Sequence, residues 1–380
     1  MTADLKHKIL FLIPTLSGGG AEKVLLNLLR NIPPDLYRIE LVSVFRDEFP
    51  SDLSHIHYRY MFKRVFRGNI HLFKFASPNW LFKHFIGDKN DYDIIISYLH
   101  SPTMRIAGGA AGGKAKLINW IHNEFKSVNE LSRLFRTRKE FERIMKCFDR
   151  TVFVAESARR STVALLPFLA SSSQTIYNTV ESDAILKKSQ EPIFNDAIFE
   201  DATLNLISIG RFTKAKAFDR LFRIVRRIAD TGRKVHLYLL GRGPLEADYN
   251  AEIKRLDISN MVTFPGFVEN PYKYVAKADL FICSSLHEGF STAVTESLIV
   301  GTPVITTMCS GMEELLGRNG EYGIITPNDE HSLSDAVVNL CNNSDMLKVL
   351  AKKAQQRGRQ FSKEQTTAQV ISLFNELLYL

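Results

Sequence analysis

Ala278-Asp-Leu-Phe-Ile-Cys-Ser-Ser285, followed at once by Glu288-Gly-Phe-Ser-Thr-Ala-Val-Thr-Glu296, is the stretch on which the reading of this chain turns. The first part has the apolar composition of a short buried strand, and the second passes through small residues into helical spacing. Such a junction leaves the unpaired amides of the helix's first turn facing outward, where the aligned peptide dipoles favour an anion such as phosphate. Seven residues separate the two glutamates. The second therefore lies about two turns along the helix, within reach of a sugar hydroxyl. Amides for phosphate and carboxylates for hydroxyls in one element suit a nucleotide sugar. By itself the spacing also fits a buried βα unit that carries two surface acids.

Outward from that stretch the chain alternates apolar strands with helices. Residues 9–12, 39–44 and 92–98 read as buried strands, 116–120, 151–154 and 174–177 as shorter ones, with helices over 21–29 and 132–145. A polar segment from 181 to 202 breaks the series. A second run follows, with strands at 204–209, 235–240, 262–264, 280–283, 304–307 and 324–325, and helices over 218–231 and 246–256. Continuous apolar strands separated by helices imply parallel sheets covered on both faces. The expected fold class is α/β, with two doubly wound Rossmann-like domains facing a cleft that holds the site. The expected boundaries are 1–180, 181–363, and a last helix, 364–380, packing back on the first domain.

Several loops at strand ends carry chemistry. Ile209-Gly210-Arg211-Phe-Thr-Lys-Ala-Lys216-Ala-Phe-Asp219 runs from a strand through glycine to two cations ahead of a helix. A helix start prefers acids to cations, so a basic pair there points to a ligand that carries negative charge. Two fixed cations can neutralise a diphosphate leaving group, as a metal would elsewhere. Leu16-Ser-Gly-Gly-Gly-Ala-Glu-Lys23 lets the backbone turn sharply and approach a ligand at Gly18, Gly19 and Gly20. Its spacing fails the G-x-G-x-x-G of a dinucleotide site. Gly108-Gly-Ala-Ala-Gly-Gly113-Lys114 has P-loop spacing, but Ala115 stands where magnesium needs a hydroxyl, and the strand follows it instead of preceding it. Asn119-Trp-Ile-His122-Asn-Glu124 ends a strand on an imidazole able to hydrogen-bond or share a proton near neutral pH. A single histidine in such a place is more often a structural one.

Together these segments resemble the retaining glycosyltransferases of family 4, group 1, with the GT-B fold and its Glu-x7-Glu motif at Glu288 and Glu296. The resemblance spans almost the whole chain and is strongest over 204–327. It extends to Leu240-Gly241-Arg-Gly243-Pro, to Phe264-Pro-Gly266-Phe-Val268 and to Gly301-Thr-Pro303-Val304. It implies transfer of a hexosyl or N-acetylhexosaminyl group from a nucleoside-diphosphate sugar to a glycan or lipid-linked oligosaccharide of bacterial surface polysaccharide, by front-face attack with no cofactor and no essential metal. It also implies roles residue by residue. Arg211 and Lys216 bind the diphosphate, with Gly210 and the glycines at 18–20 beside it. Glu288 binds the donor sugar, and Gly289 with the amides of Phe290, Ser291 and Thr292 faces phosphate or sugar. Glu296 binds the ribose, Val268 lines the base pocket, and His122 meets a donor hydroxyl. Ala217 departs from the family, which usually has glycine there. A catalytically silent sugar-nucleotide-binding module, and an epimerase or phosphorylase of the same architecture, are the competing readings.

At 380 residues, 45% apolar and 24% charged, the chain has the length of two globular domains and no run of about 18–20 apolar residues for a transmembrane helix. Cys147, Cys283, Cys309 and Cys341 are scattered, without ligand spacing, which suits a reducing cytoplasm and no structural zinc. The net charge of +8 is unevenly spread. Residues 53–87 hold no acid, and Lys63, Arg64, Arg67 and Lys74 alternate with Phe62, Phe66, Phe73 and Trp80. Arg133-Leu-Phe-Arg136-Thr-Arg138-Lys139 adds a second basic cluster. Cations beside aromatics suit an anionic membrane surface, so the expected place is peripheral, on the inner face of the cytoplasmic membrane. They fit equally a set of core aromatics with solvated cations. No nucleic-acid motif is present.

Overall fold

In β1 (His7–Ile13) five consecutive residues, Ile9 to Ile13, are fully buried. A half-solvated strand would alternate; this one is covered on both faces. In the computed structural model, which describes residues 6–17, 19–100, 102–193, 199 and 203–379, it lies inside a sheet with β2 (Tyr37–Phe45), β3 (His57–Phe62), β4 (Ile94–Tyr98), β5 (Lys116–Ile121), β6 (Arg150–Phe153) and β7 (Ser173–Thr175). The order is β3-β2-β1-β4-β5-β6-β7, and every neighbouring pair is parallel. The second sheet contains β8 (Leu204–Ile209), β9 (Val235–Leu240), β10 (Val262–Gly266), β11 (Leu280–Cys283), β12 (Val304–Thr307) and β13 (Ile324–Thr326). Its order, β10-β9-β8-β11-β12-β13, repeats the first, again wholly parallel. The order reverses between β1 and β4 and between β8 and β11, where sheets of this kind bind ligands beyond the strands' carboxyl ends.

Residues 1–180 with 363–380 form one compact unit and 181–362 the other. The final helix, Lys363–Leu378, packs on the first sheet's side of the molecule. Tyr37 Oη donates to Asn375 Oδ1 at 3.0 Å, the Tyr37 and Phe374 rings meet edge to face at 5.6 Å, and Arg150 pairs with Glu376.

Three expectations change. The single helix over 132–145 is two, Val128–Ser132 and Arg138–Met145. Thr137 ends the continuity: its side chain accepts from the Glu140 amide, capping a fresh helix. The polar segment after 181 contains a helix, Ser182–Ser189, in which Ile185 is the buried anchor. The acid-free stretch holds β3 and the helices Asn69–Phe75 and Pro78–Phe85.

That stretch divides its side chains between the two roles its composition allowed. Phe73, Leu81 and Phe82 are core, whereas Val65, Ile70, Phe75 and Trp80 are 68%, 65%, 58% and 47% exposed. Lys63, Arg64 and Arg67 are exposed beside them. The structure also joins the two basic clusters. Lys74 Nζ donates to Arg133 O at 3.3 Å, and Arg136 donates to the carbonyls of Lys74 and Phe75. Beneath them the fully buried Arg105 donates to Phe73 O, to Ala76 O at 3.1 Å and to Glu140 Oε1 at 2.5 Å. Guanidinium groups thus satisfy carbonyls at the end of the helix Asn69–Phe75 that would otherwise lack partners.

Candidate active site

The second unit gathers its candidate residues where β8 and β11 end. After Ile209, Gly210 lets the Lys216 stem pass close by: a Cβ at 210 would stand 3.0 Å from Lys216 Cε. The chain then makes a 3-10 turn, Lys214–Lys216, and leaves it through Ala217 at φ +47° and ψ +44°. That left-handed conformation is strained for any residue with a Cβ and explains why glycine suits the place better. Both cations nonetheless remain. Arg211 is exposed and makes no ion pair among the described residues. Lys216 turns inward, its Nζ 2.5 Å from Glu288 Oε1, with side-chain exposures of 24% and 11%. Burial works to lower the Lys216 pKa, but the Glu288 carboxylate beside it, helped by Cys283 and Cys309, outweighs that and moves it upward. The ammonium is therefore charged throughout the physiological range.

The strand end holds both partners. Ser284 Oγ donates to Lys216 O at 2.8 Å and Leu286 N to Ala215 O at 2.7 Å. Ser285 Oγ donates to Glu288 Oε1 at 2.6 Å. Beyond the buried Gly289 and Phe290, Ser291 caps the helix Thr292–Val300, its side chain accepting from Val294 N at 3.4 Å. The helix stops at Gly301, φ +84°, where Thr302 N donates back to Ser297 O at 3.0 Å. The helix begins only at Thr292, so Glu296 lies just over one turn in, not the expected two; it is 7% exposed and accepts from Tyr272 Oη at 3.5 Å. Val268 is half-buried just past β10, the edge strand of this sheet.

In the first unit His122 follows β5 directly. It is 7% exposed, 4.7 Å from the Tyr98 ring, and its Nε2 has no partner among the described residues. Burial lowers its pKa to about 3, so the imidazole is neutral. Gly19 precedes the helix Gly20–Asn31, and Gly20 is its exposed first residue. Gly18 lies outside the described residues. The Glu22 carboxylate folds over Gly19, where an added Cβ would meet Oε2 at 2.0 Å. Burial raises the Glu22 pKa, its own backbone amide lowers it, and Asp47 raises it again, with a net upward shift.

The structure thus brings Gly210, Lys216 and Glu288 into contact and puts Ser291, Thr292 and Glu296 on one helix. Ser285 and Tyr272, which hold the two glutamates, escape a reading of the sequence; the one available signal was Ser285's place three residues before Glu288. Among the described residues no group of three or more His, Cys, Asp and Glu side chains could hold a metal ion.

Two family models account for most of the chain: Glycosyltransferase Family 4 matches residues 18–184, and Glycosyl transferases group 1 matches 189–357. The chain belongs to the family 4, group 1 glycosyltransferases. It is 32% identical over 192 residues to the N-acetylgalactosamine-N,N'-diacetylbacillosaminyl-diphospho-undecaprenol 4-alpha-N-acetylgalactosaminyltransferase of Campylobacter jejuni, covering 50% of each chain. It is 29% identical over 170 residues to the lipopolysaccharide core biosynthesis glycosyltransferase LpsE of Rhizobium meliloti, covering 44% of this chain and 48% of that one. The matches span about half the length of these curated relatives. Among solved structures, Anabaena HepE in complex with UDP superposes with a TM-score of 0.73 at 18% identity, over 97% of this chain and 100% of that one. Sucrose-phosphate synthase from Thermosynechococcus elongatus gives 0.74 at 15%, over 98% and 100%. At such identities these two speak for the fold of this glycosyltransferase, the paired Rossmann-like GT-B architecture.

Proposed function

We propose that this glycosyltransferase moves a hexosyl or N-acetylhexosaminyl group from a nucleoside-diphosphate sugar to a lipid-linked glycan of bacterial surface polysaccharide, with retention and without an essential metal. The observation that carries the reading is the half-buried Lys216–Glu288 pair at the mouth of β8 and β11, with the exposed Arg211 on the same loop and without an ion pair among the described residues. Lys216 and Arg211 neutralise the departing diphosphate. Glu288 binds sugar hydroxyls, Glu296 the ribose, Val268 lines the base pocket, and the amides of Phe290, Ser291 and Thr292 face phosphate or sugar. His122, neutral, offers Nε2 to a donor hydroxyl. As the C1–O bond to the diphosphate breaks, the acceptor oxygen bonds to C1 on the same face, and its proton passes to the leaving phosphate oxygen. The reading is supported by HepE, described in complex with UDP-glucose, and by the diphospho-undecaprenol substrate in the Campylobacter protein's name.

The test is a panel of nucleotide sugars scored by protection against unfolding, since a ligand at 100 times its Kd adds about 2.7 kcal/mol. Proton NMR of the transferred anomeric centre then reports retention or inversion. Protection by no nucleotide sugar, or an inverted product, overturns the reading.

A lipid-linked acceptor requires the enzyme to meet a membrane, and no helix among the described residues is long and apolar enough to cross one. The face carrying Val65, Ile70, Phe75 and Trp80 among Lys63, Arg64, Arg67, Arg133 and Arg136 suits the inner, anionic surface of the cytoplasmic membrane. Replacing Lys63, Arg64 and Arg67 together by Gln should weaken sedimentation with phosphatidylglycerol vesicles and spare transfer to a soluble acceptor. Unchanged sedimentation would return these cations to a solvated surface.

A further inference from the structure

Ser285 lies two residues past the end of β11, with 1% of its surface exposed, and it is the second group that holds Glu288. Its hydroxyl and the Lys216 ammonium both land on Oε1, at 2.6 and 2.5 Å, beside the weak thiol donor Cys283 Sγ at 3.9 Å, while Oε2 takes no hydrogen bond among the described residues. The two holders differ in kind. Lys216 is a cation on a four-carbon stem, rising from a turn with a strained exit. An arriving diphosphate competes for its charge directly, because two phosphate groups outweigh one carboxylate. Ser285 is neutral and its main chain is pinned. Its carbonyl accepts from Thr307 Oγ1 at 2.6 Å, Cys309 Sγ at 3.1 Å and Asn328 Nδ2 at 3.3 Å. The same Asn328 amide reaches Leu286 O at 3.2 Å and Met308 O at 3.1 Å, and its Oδ1 accepts from Arg220 at 3.0 Å. A diphosphate has no charge on Ser285 to compete for.

We infer that Ser285 is the positioning residue that keeps the Glu288 carboxylate aimed at the donor sugar when the diphosphate draws Lys216 away. The inference rests on the donor assignment above. In the ligand-free protein Lys216 masks the loss of the serine, so the effect emerges only with a sugar-bearing ligand. Glu288, with Oε1 held from behind by a neutral donor, presents Oε2 forward.

The experiment is calorimetry and transfer kinetics on the full chain, wild type and Ser285→Ala. UDP and GDP serve as bare nucleotides, and UDP-glucose, UDP-galactose, UDP-N-acetylgalactosamine, UDP-N-acetylglucosamine and GDP-mannose as donors. The bare nucleotide should bind the variant within about twofold of wild type. The matching donor should bind about ten- to a hundredfold more weakly, the scale of one hydrogen bond to a charged group, and kcat should fall with it. Ser285→Cys, nearly the same size with a much poorer donor, should move in the same direction and serves if the alanine variant does not fold. Equal losses for nucleotide and donor would make Ser285 a structural residue, and no loss for either would leave Lys216 as the sufficient holder; each overturns the inference. If the wild type itself binds none of these donors, the donor assignment falls, and the inference with it.

Discussion

The two units share one strand order but arm it differently. In residues 181–362 the candidate groups are charged and face one another: Lys216 on Glu288, Ser285 behind it, Tyr272 on Glu296. In the first unit His122 stands one strand beyond the reversal between β1 and β4, at the end of β5; it is neutral, buried against Tyr98, and its Nε2 has no partner among the described residues. The second unit's switch point is thus set before any ligand arrives, whereas His122 in the first unit presents one neutral polar atom beside an aromatic ring. Electrostatic work at a transition state needs groups fixed in advance, whereas a neutral imidazole contributes shape and one hydrogen bond. On this account the charge chemistry belongs to the second unit.

The sharpest way to break that division is to remove its cations. Lys216→Ala or Arg211→Ala should lower turnover by about 10²–10³-fold, the scale of one lost preorganised stabiliser, with little change in the unfolding temperature of the Arg211 variant. Near-normal turnover in both would take the diphosphate away from this unit. The first unit's neutrality is tested by acid. Burial holds His122 near pKa 3 and His100 near 4, against an ordinary value of 6.5. Between those values and pH 6.5 the unfolded chain binds the extra protons, so stability falls as pH drops from 6.5 toward 4. His122→Asn should reduce the slope of stability against pH by about one proton in that window. An unaltered slope would mean that His122 is protonated in the folded state. The smallest effect is expected at Ala217: Ala217→Gly should relieve the left-handed strain and stabilise the protein by about 0.5–1 kcal/mol in urea unfolding, net of the glycine's chain entropy.

How legible this was depended on what covers each segment. Strands β8, β9, β11 and β12 stand at their expected residues, because burial on both faces leaves short, predominantly apolar runs in the sequence. The edge strand β3, His57-Tyr-Arg-Tyr-Met-Phe62, is polar and only partly buried, so it merged into the aromatic stretch around it. The break at Thr137 turned on a cap, a side-chain bond that helical periodicity does not register. Lys216 and Glu288 each carried a signal, but their contact joins positions 72 residues apart. Ser285 offered only its place three residues before Glu288, since a serine after a strand otherwise looks like any other small residue.

The central claim is that Glu288 reads the sugar while Glu296 reads the nucleotide. Calorimetry of Glu288→Ala and Glu296→Ala with the donor and with its bare nucleoside diphosphate tests it most directly. The account predicts that Glu296→Ala weakens both ligands by about tenfold or more, as for a lost charge-assisted hydrogen bond, while Glu288→Ala weakens only the donor. Equal loss of nucleoside-diphosphate affinity in the two variants would contradict it.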